Sequence, residues 1–410
     1  MTLISDTQEL KRFCGDLAGC EFVAVDTEFM RERTYWPKLC LVQVAGPDAS
    51  AAIDPLAAGM DLSPLFALLS APETVKVFHA ARQDLEIFYH LMGQLPVPVF
   101  DTQVAAMVCG FGDQVSYETL AAKLARVKLD KGSRFTDWAL RPLSVRQIDY
   151  AVSDVIHLRP IYRKLIQRLE STGRADWLAE EMSALTNPSA YAVDPMQAFR
   201  RLRSRSTNGR VLAVLREVAA WREREAQSRD IPRTWVLRDE ALLEIAHHGP
   251  QKVDDLARTR NLNRKMAESP QGAEILAAVG RGLAVPEEEC PPVDERRELP
   301  RGLAPVAELL KVLLKMKCDE AGVAQRLVAS SEEIDTIAGQ GEAAEVPALN
   351  GWRRQLFGND ALKLRTGSVA LMVKGRKLVV VPVAIRRDDG EGDTRPPTEA
   401  PTGAGQTDAV

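Results

Sequence analysis

The chain has 410 residues, too many for one ordinary hydrophobic core, and two or three domains are expected. It is 45% hydrophobic and 27% charged with a net charge of -4, a globular balance that excludes an overall basic signature, so nucleic-acid binding would have to come from local patches. The six cysteines include no Cys-x-x-Cys pair, and the sequence has neither a basic-then-apolar leader nor a run of roughly 20 apolar residues; a reduced cytoplasmic protein is expected, without zinc fingers, disulfides or a membrane span.

Leu10, Phe13 and Leu17 give residues 1 to about 20 a helical pattern, with Ser5 or Thr7 as the cap. Phe22-Val23-Ala24-Val25 follows as a strand buried on both faces, which breaks into Asp26-Thr27-Glu28-Phe29. Leu39 to Ala45 reads as a second strand closed by a Gly46-Pro47-Asp48 turn, and Ala51 to Asp54 as a third. Leu62 to Leu69 reads as a helix with Pro64 in its first turn. Val75 to His79 is a fourth strand, helical spacing runs from Asp84 to Leu91, and Thr102 opens a helix to about Cys109. Strands in succession, then alternating with helices, predict an α/β fold with a mixed sheet. From Tyr117 to about Leu169 the pattern is helical with one interruption at residues 130–134. Within it Ser144 and Gln147 form a capping box for a helix that carries Tyr150 and Asp154 on one face.

Beyond about residue 200 the chain reads as helical. Between residues 201 and 283 sixteen Lys and Arg stand against eleven Asp and Glu, about +5 in a chain that is negative overall, so charge is segregated by region. Residues 284–300 read as an acidic, Pro-rich linker and 301–385 as a further helical region. That region ends in a hairpin, Val369 to Val383, with the basic tip Lys374-Gly375-Arg376-Lys377. Residues 386–410 have almost nothing apolar to bury and are expected to be a disordered tail.

The chemistry is expected at Asp26 and Glu28. A strand repeats every two residues, so the two carboxylates share a face and repel each other unless a cation or proton sits between them. An isolated Asp-x-Glu more often marks a strand running out into a solvated turn; here Asp84, Tyr150 and Asp154 stand where they could complete a site. Four carboxylates from a strand end and two helices can hold two divalent ions about 3.5 to 4 Å apart, an arrangement suited to in-line displacement at phosphorus. Hard oxygen ligands favour magnesium or manganese over zinc. Taken singly, Asp84 reads as a helix N-terminal acid, Tyr150 and Asp154 as a solvated pair, and His79 and His157 as hydrogen-bonded or exposed rather than ligands.

Asp26-Thr27-Glu28-Phe29, His79-Ala80 with Asp84, and Tyr150-Ala151-Val152-Ser153-Asp154-Val155 resemble the three exonuclease motifs of the ribonuclease D family, in the tyrosine branch of the large 3′-5′ exonuclease superfamily. Leu39 to Gln43, Phe100-Asp101-Thr102-Gln103, Leu129-Asp130-Lys131, Thr136-Asp137-Trp138 and Arg141-Pro142-Leu143 fit the same pattern, which covers roughly residues 1 to 200. A histidine-branch enzyme would carry His five residues before the last Asp, where this chain has Asp149. The resemblance implies a ribonuclease-H-like mixed-sheet exonuclease domain in residues 1–200, followed by small all-α domains at 201–283 and 301–385. It implies two divalent ions, Mg2+ or Mn2+, held by Asp26, Glu28, Asp84 and Asp154, and a Tyr150 hydroxyl that orients the attacking water, since a phenol near pKa about 10 is a poor base at neutral pH. It also implies nucleic-acid contact at Phe29, Gln43 and His79. Trp221 to Ala226, Asp230-Ile231-Pro232-Arg233 and Val236 to Leu242 resemble the helicase-and-RNase-D C-terminal (HRDC) domain, with phosphate contacts at Arg203, Arg205, Arg222 and Arg224. The segment 301–383 is similar to a divergent second copy that lacks the Trp-Arg-x-x-x-Ala and Ile-Pro signatures.

The expected activity is 3′-5′ exonucleolytic release of nucleoside 5′-monophosphates from RNA with a free 3′ end, tRNA precursors above all, by a monomer without membrane contact. A DNA exonuclease of the same fold and a non-catalytic RNA-binding platform are the alternatives. The carboxylates do not read the sugar, and a lost carboxylate would mark the platform; none is lost here.

Overall fold

The computed structural model describes residues 2–129, 132, 136–202, 204, 206, 208–292, 300 and 302–383. Its first half is built on a six-stranded sheet of β1 (Thr2–Ile4), β2 (Phe22–Met30), β3 (Lys38–Ala45), β4 (Ser50–Ile53), β5 (Val75–Phe78) and β6 (Val99–Asp101), in the spatial order β1-β4-β3-β2-β5-β6. β2 runs antiparallel to β3 and parallel to β5. Helices cover both faces, as a largely buried sheet requires. Val23 and Val25 point into a core with α1 (Thr7–Asp16), α2 (Ser63–Ser70) and α3 (Arg82–Met92). Phe22 and Ala24 point into the opposite core, with α4 (Thr102–Val108), α5 (Tyr117–Leu120) and α6 (Val145–Thr172), and α7 (Ala175–Leu185) packs beside α4.

Three expectations are corrected. The N-terminal residues are not all helical: Thr2–Ile4 pair parallel to β4, and α1 is capped by Asp6, whose carboxylate accepts from the Gln8 and Glu9 backbone N–H groups. The strand carrying Asp26 does not stop there but runs to Met30, with a bulge between Glu28 and Phe29 where the β3 register shifts. The helical run from Tyr117 is broken much more widely than at residues 130–134. It ends in a π-turn at Ala121–Ala125, and α6 begins only after Ser144. The capping box at Ser144 and Gln147 is present.

A separate core forms around α8 (Gly209–Ser228), with α9 (Arg233–Val236), α10 (Asp239–His248), α11 (Val253–Leu256), α12 (Arg264–Ala267) and α13 (Pro270–Ala284). Another gathers α14 (Ala304–Ala321), α15 (Gln325–Val328), α16 (Ser331–Gln340), α17 (Gly351–Arg353) and α18 (Asn359–Arg365). The hairpin of β7 (Val369–Lys374) and β8 (Lys377–Pro382) packs Leu371 and Val380 on that core, and Gly375 takes the left-handed φ of +63° in its turn. Within 284–300, Glu287–Glu289 make one 3-10 turn; residues 293–299 and the tail from 386 lie outside the described residues.

Both helical regions lock onto the first. Tyr35, just beyond β2, places its hydroxyl between Glu223, Gln227 (3.0 Å) and Arg233 (2.9 Å), while the Tyr35 and Trp36 backbone N–H groups donate to Asp230 at 3.0 Å. Trp36 stacks on His90 of α3 at 4.0 Å. On the other side Arg353 pairs with Glu180 and Glu181 of α7, Trp177 stacks on Trp352 at 4.3 Å, and Ala324 N–H donates to the Met107 carbonyl at 3.1 Å. Gly110 is required at this joint, because a Cβ there would come within 2.3 Å of the Gly322 carbonyl oxygen. Among the described residues, no helix is long and apolar enough to cross a membrane.

Candidate active site

The carboxyl end of β2, the start of α3 and the first half of α6 enclose a cavity of about 440 Å³. Asp26, Glu28, Asp84, Tyr150 and Asp154 all line it, together with Phe29 and His79. Strand alternation turns Asp26 and Glu28 toward α6 and Thr27 toward α3. There the Thr27 hydroxyl donates to Asp84 Oδ1. On α6, Tyr150 and Asp154 are one turn apart, and the Asp154 carbonyl accepts from the hydroxyl of Tyr117.

The loop that delivers His79 and Asp84 is tied down by Asp101, at the end of β6. This 2% exposed carboxylate accepts backbone N–H bonds from Ala80 (3.0 Å) and Ala81 (2.8 Å), and from Gln103 (2.7 Å) and Val104 (3.4 Å) in the first turn of α4. Ala80 sits at φ +57°, a left-handed conformation that a non-glycine residue holds only when its surroundings impose it. The Phe100-Asp101-Thr102 stretch is therefore an anchor, and Thr102 adds hydrogen bonds to the Phe78 carbonyl and to His79 Nδ1, both at 3.0 Å.

Electrostatics give the cavity its character. Burial pushes the Asp26 carboxyl up to about 6. Glu28 rises to about 9 through burial and then the charges of Asp26, Asp154 and Asp84. Asp154 rises to about 8 through burial and Asp26, and Asp84 shifts up for the same two reasons. Among the described lining residues there is no Lys or Arg to offset these charges. An all-oxygen donor set in mutual repulsion fits hard divalent cations. Among the described residues no three acidic, His or Cys side chains are gathered tightly enough to chelate an ion. His79 is held neutral, its pKa lowered to about 4 by burial.

Not every expected residue is here. Gln43 is fully buried and lies outside the lining; it sits opposite Asp26 across the β2–β3 ladder, with both amide atoms unpartnered. Direct RNA contact at Gln43 is thus corrected. Arg222 is likewise corrected as a phosphate contact: it is 4% exposed and spends its guanidinium on Asp239 (2.6 Å) and the Leu237 carbonyl (2.8 Å). Arg224 is exposed, while Arg203 and Arg205 lie outside the described residues. Sequence reasoning missed Thr27, Gln83 and Tyr117 in the lining. For Tyr117 the available signal was the Ser116 cap, whose side chain accepts from Thr119 N–H and fixes the start of α5.

Known proteins of similar sequence and fold identify the family. The 3′-5′ exonuclease family profile matches residues 1–170 and the HRDC domain profile residues 211–279. Ribonuclease D of Gluconacetobacter diazotrophicus is 50% identical over 380 residues, 93% of this chain and 96% of that protein, and ribonuclease D of Jannaschia sp. is 51% identical over 93% of this chain and 99% of that one. The crystal structure of Escherichia coli RNase D, described as an exoribonuclease involved in structured RNA processing, superposes with a TM-score of 0.75 at 29% identity, covering 89% of this chain and 98% of that one. With about half of its residues shared with relatives along nearly their whole length, and with the mixed sheet and acidic cleft described above, the chain belongs to the ribonuclease D family of 3′-5′ exoribonucleases.

Proposed function

We propose that this enzyme trims the 3′ ends of small structured RNAs, tRNA precursors above all, as a monomer that releases nucleoside 5′-monophosphates. The observation that carries the reading is the convergence of Asp26, Glu28, Asp84, Asp154 and Tyr150 on one acidic cavity. The exonuclease fold of this family is metal-dependent. In our reading Asp26, Glu28, Asp84 and Asp154 would hold the divalent ions. When bound, Mg2+ or Mn2+ at these oxygens would lower the pKa of water and stabilise the leaving 3′ oxygen.

The remaining tasks fall to the chain itself. Tyr150, reaching into the cavity from α6, orients the attacking water through its hydroxyl. Phe29 and His79, both in the lining, are positioned to pack against the terminal nucleotide, and a neutral imidazole there adds no charge to compete with the ions. We assign residues 1–200 to catalysis and 201–283 to RNA holding, with exposed Arg224 among the phosphate contacts. The region 301–385 we read as a divergent second module. The test is a gel with 3′- and 5′-labelled RNA and DNA of matched sequence in magnesium, manganese or EDTA. Mononucleotide release from the 3′ end of RNA, lost in EDTA, is expected; endonucleolytic products or equal cleavage of DNA would overturn the reading.

A further inference from the structure

Immediately before α6 in the chain, residues 136–143 form a strap with no regular structure that packs against β3, β4 and α6. Arg141 is the pin. Its Nε and Nη2 grip both oxygens of the buried Asp54 at 2.7 and 2.6 Å, and Nη2 also donates to the Cys40 carbonyl on β3 at 2.7 Å. Its Nη1 turns back to the strap's own Trp138 and Leu140 carbonyls, each at 2.8 Å. One planar guanidinium thus fastens the strap to two strands and folds it on itself, which a lysine's single ammonium could not reproduce.

The strap's payload is Trp138, 3% exposed and packed with Cys40, Leu41, Ala52, Leu143, Ala151 and Val152. Its ring lies 6.2 Å from the Tyr150 ring at an interplanar angle of 29°, a stacked arrangement. Among the described residues the buried indole N–H has no hydrogen-bond partner, and what the side chain contributes there is ring area.

We propose that Trp138, locked by Arg141, is a positioning residue for Tyr150: it forms the wall that fixes the phenol ring and so the direction of the hydroxyl in the cleft. This rests on the water-orienting role assigned to Tyr150 above. Trp138 itself is absent from the cavity lining and touches no reacting atom. The strap links the β3–β4 side of the sheet to the reacting face of α6, and the Gln147 amide joins it to the helix through the Thr136 hydroxyl at 3.3 Å.

The experiment is a double-mutant cycle on the full chain with a short single-stranded RNA, reading kcat, KM and Tm for Trp138→Leu, Tyr150→Phe and the pair. Trp138→Leu should lower kcat about 10-fold or more with KM within about 2-fold, because orientation is lost and substrate binding is not. In the Tyr150→Phe background the same change should have almost no further effect. Trp138→Phe, which keeps an aromatic wall, should recover most of the rate. Should Trp138→Leu fail to fold, Arg141→Lys carries the same cycle, since it loosens the strap without opening the core. A lowered Tyr150→Phe rate combined with multiplicative effects in the double variant refutes this inference alone. An unchanged Tyr150→Phe rate refutes the role of Tyr150 and this inference with it.

Discussion

Asp101 offers a graded test of how the cleft is held together. Its Oδ1 accepts from Ala80, Gln103 and Val104, and its Oδ2 from Ala81. Asp101→Asn with its amide oxygen at the Oδ1 position keeps three of these bonds and turns an NH2 group against the Ala81 N–H. One charge-assisted bond lost at a buried site, with a donor facing a donor, should cost about 2 kcal/mol. Asp101→Ala strands all four donors; at ~1.5 kcal/mol each the sum approaches ~6, and partial hydration of the first turn of α4 should bring it to about 4 kcal/mol. Ala80 at φ +57° stores a further ~1–2 kcal/mol that these bonds hold in place, so releasing them lets the His79–Ala81 loop relax and shifts the start of α3 with Asp84. Urea unfolding followed by circular dichroism gives the stability order, and hydrogen exchange at the Ala80 and Ala81 amides gives the local one. Adding Ala80→Gly to Asp101→Asn should restore part of the loss, because glycine accepts that φ without strain. Equal costs for the Asn and Ala variants, or less than about 1 kcal/mol for Ala, would refute the anchor.

Asp26→Asn should leave the fold intact and reduce hydrolysis more than tenfold, a loss above ~1.4 kcal/mol of transition-state stabilisation; a rate within tenfold of wild type on labelled RNA would remove Asp26 from the proposed metal-holding set. In EDTA the melting temperature should fall as pH rises from about 5 to 9: the folded pKa values of Asp26, Glu28 and Asp154 are raised to about 6, 9 and 8, so their contribution is full below the unfolded carboxylate range and is lost as pH climbs through those values. Mg2+ should flatten that slope, and Glu28→Gln should flatten it without metal; a slope identical in wild type and Glu28→Gln would contradict the assignment. Arg353→Ala should free the C-terminal region, because the buried Arg353 pairs with half-exposed Glu180 and with the more buried Glu181 and donates to the Leu327 carbonyl at 2.7 Å, and losing these charge-assisted bonds costs about 1.5–3 kcal/mol. Accelerated limited proteolysis after residue 300 is the readout, and an unchanged digestion pattern would count against it.

What could be read in the sequence was local. The apolar run at Phe22, the Ser144 capping box, Pro64 in the first turn of α2 and the hairpin around Gly375 depend on residues a few positions apart, and each stands in the structure. What could not be read was long-range pairing. Thr2–Ile4 become a strand only because Ala51–Ile53 offer an edge some 50 residues away. Arg222 resembled a surface cation until α9 and α10 folded over it and supplied Asp239 and the Leu237 carbonyl as partners. Gln43 carried no sign of which face it would take, because β3 is buried on both.

The position of the cleft follows from where β2 loses a neighbour. β5 pairs with β2 only from Phe22 to Ala24, whereas β3 stays paired as far as Met30. From Val25 onward the β5 edge of β2 is open while its β3 edge stays paired, which leaves a crevice at the carboxyl end of β2. Asp26 is the first side chain past the break on the α6 face, and Glu28 is the last before the bulge turns the strand. Beyond the bulge the same segment is seized again: Arg31 pairs with Glu86 on α3, and Tyr35 and Trp36 are held by Asp230 and Glu223. The two carboxylates therefore lie on a stretch of β2 that is held by β3 along one edge and open along the other, between the β5 pairing and the Tyr35 anchor. The helical region thus grips the same chain segment seven residues beyond Glu28, with the Phe29 and Met30 pairing to β3 lying between them.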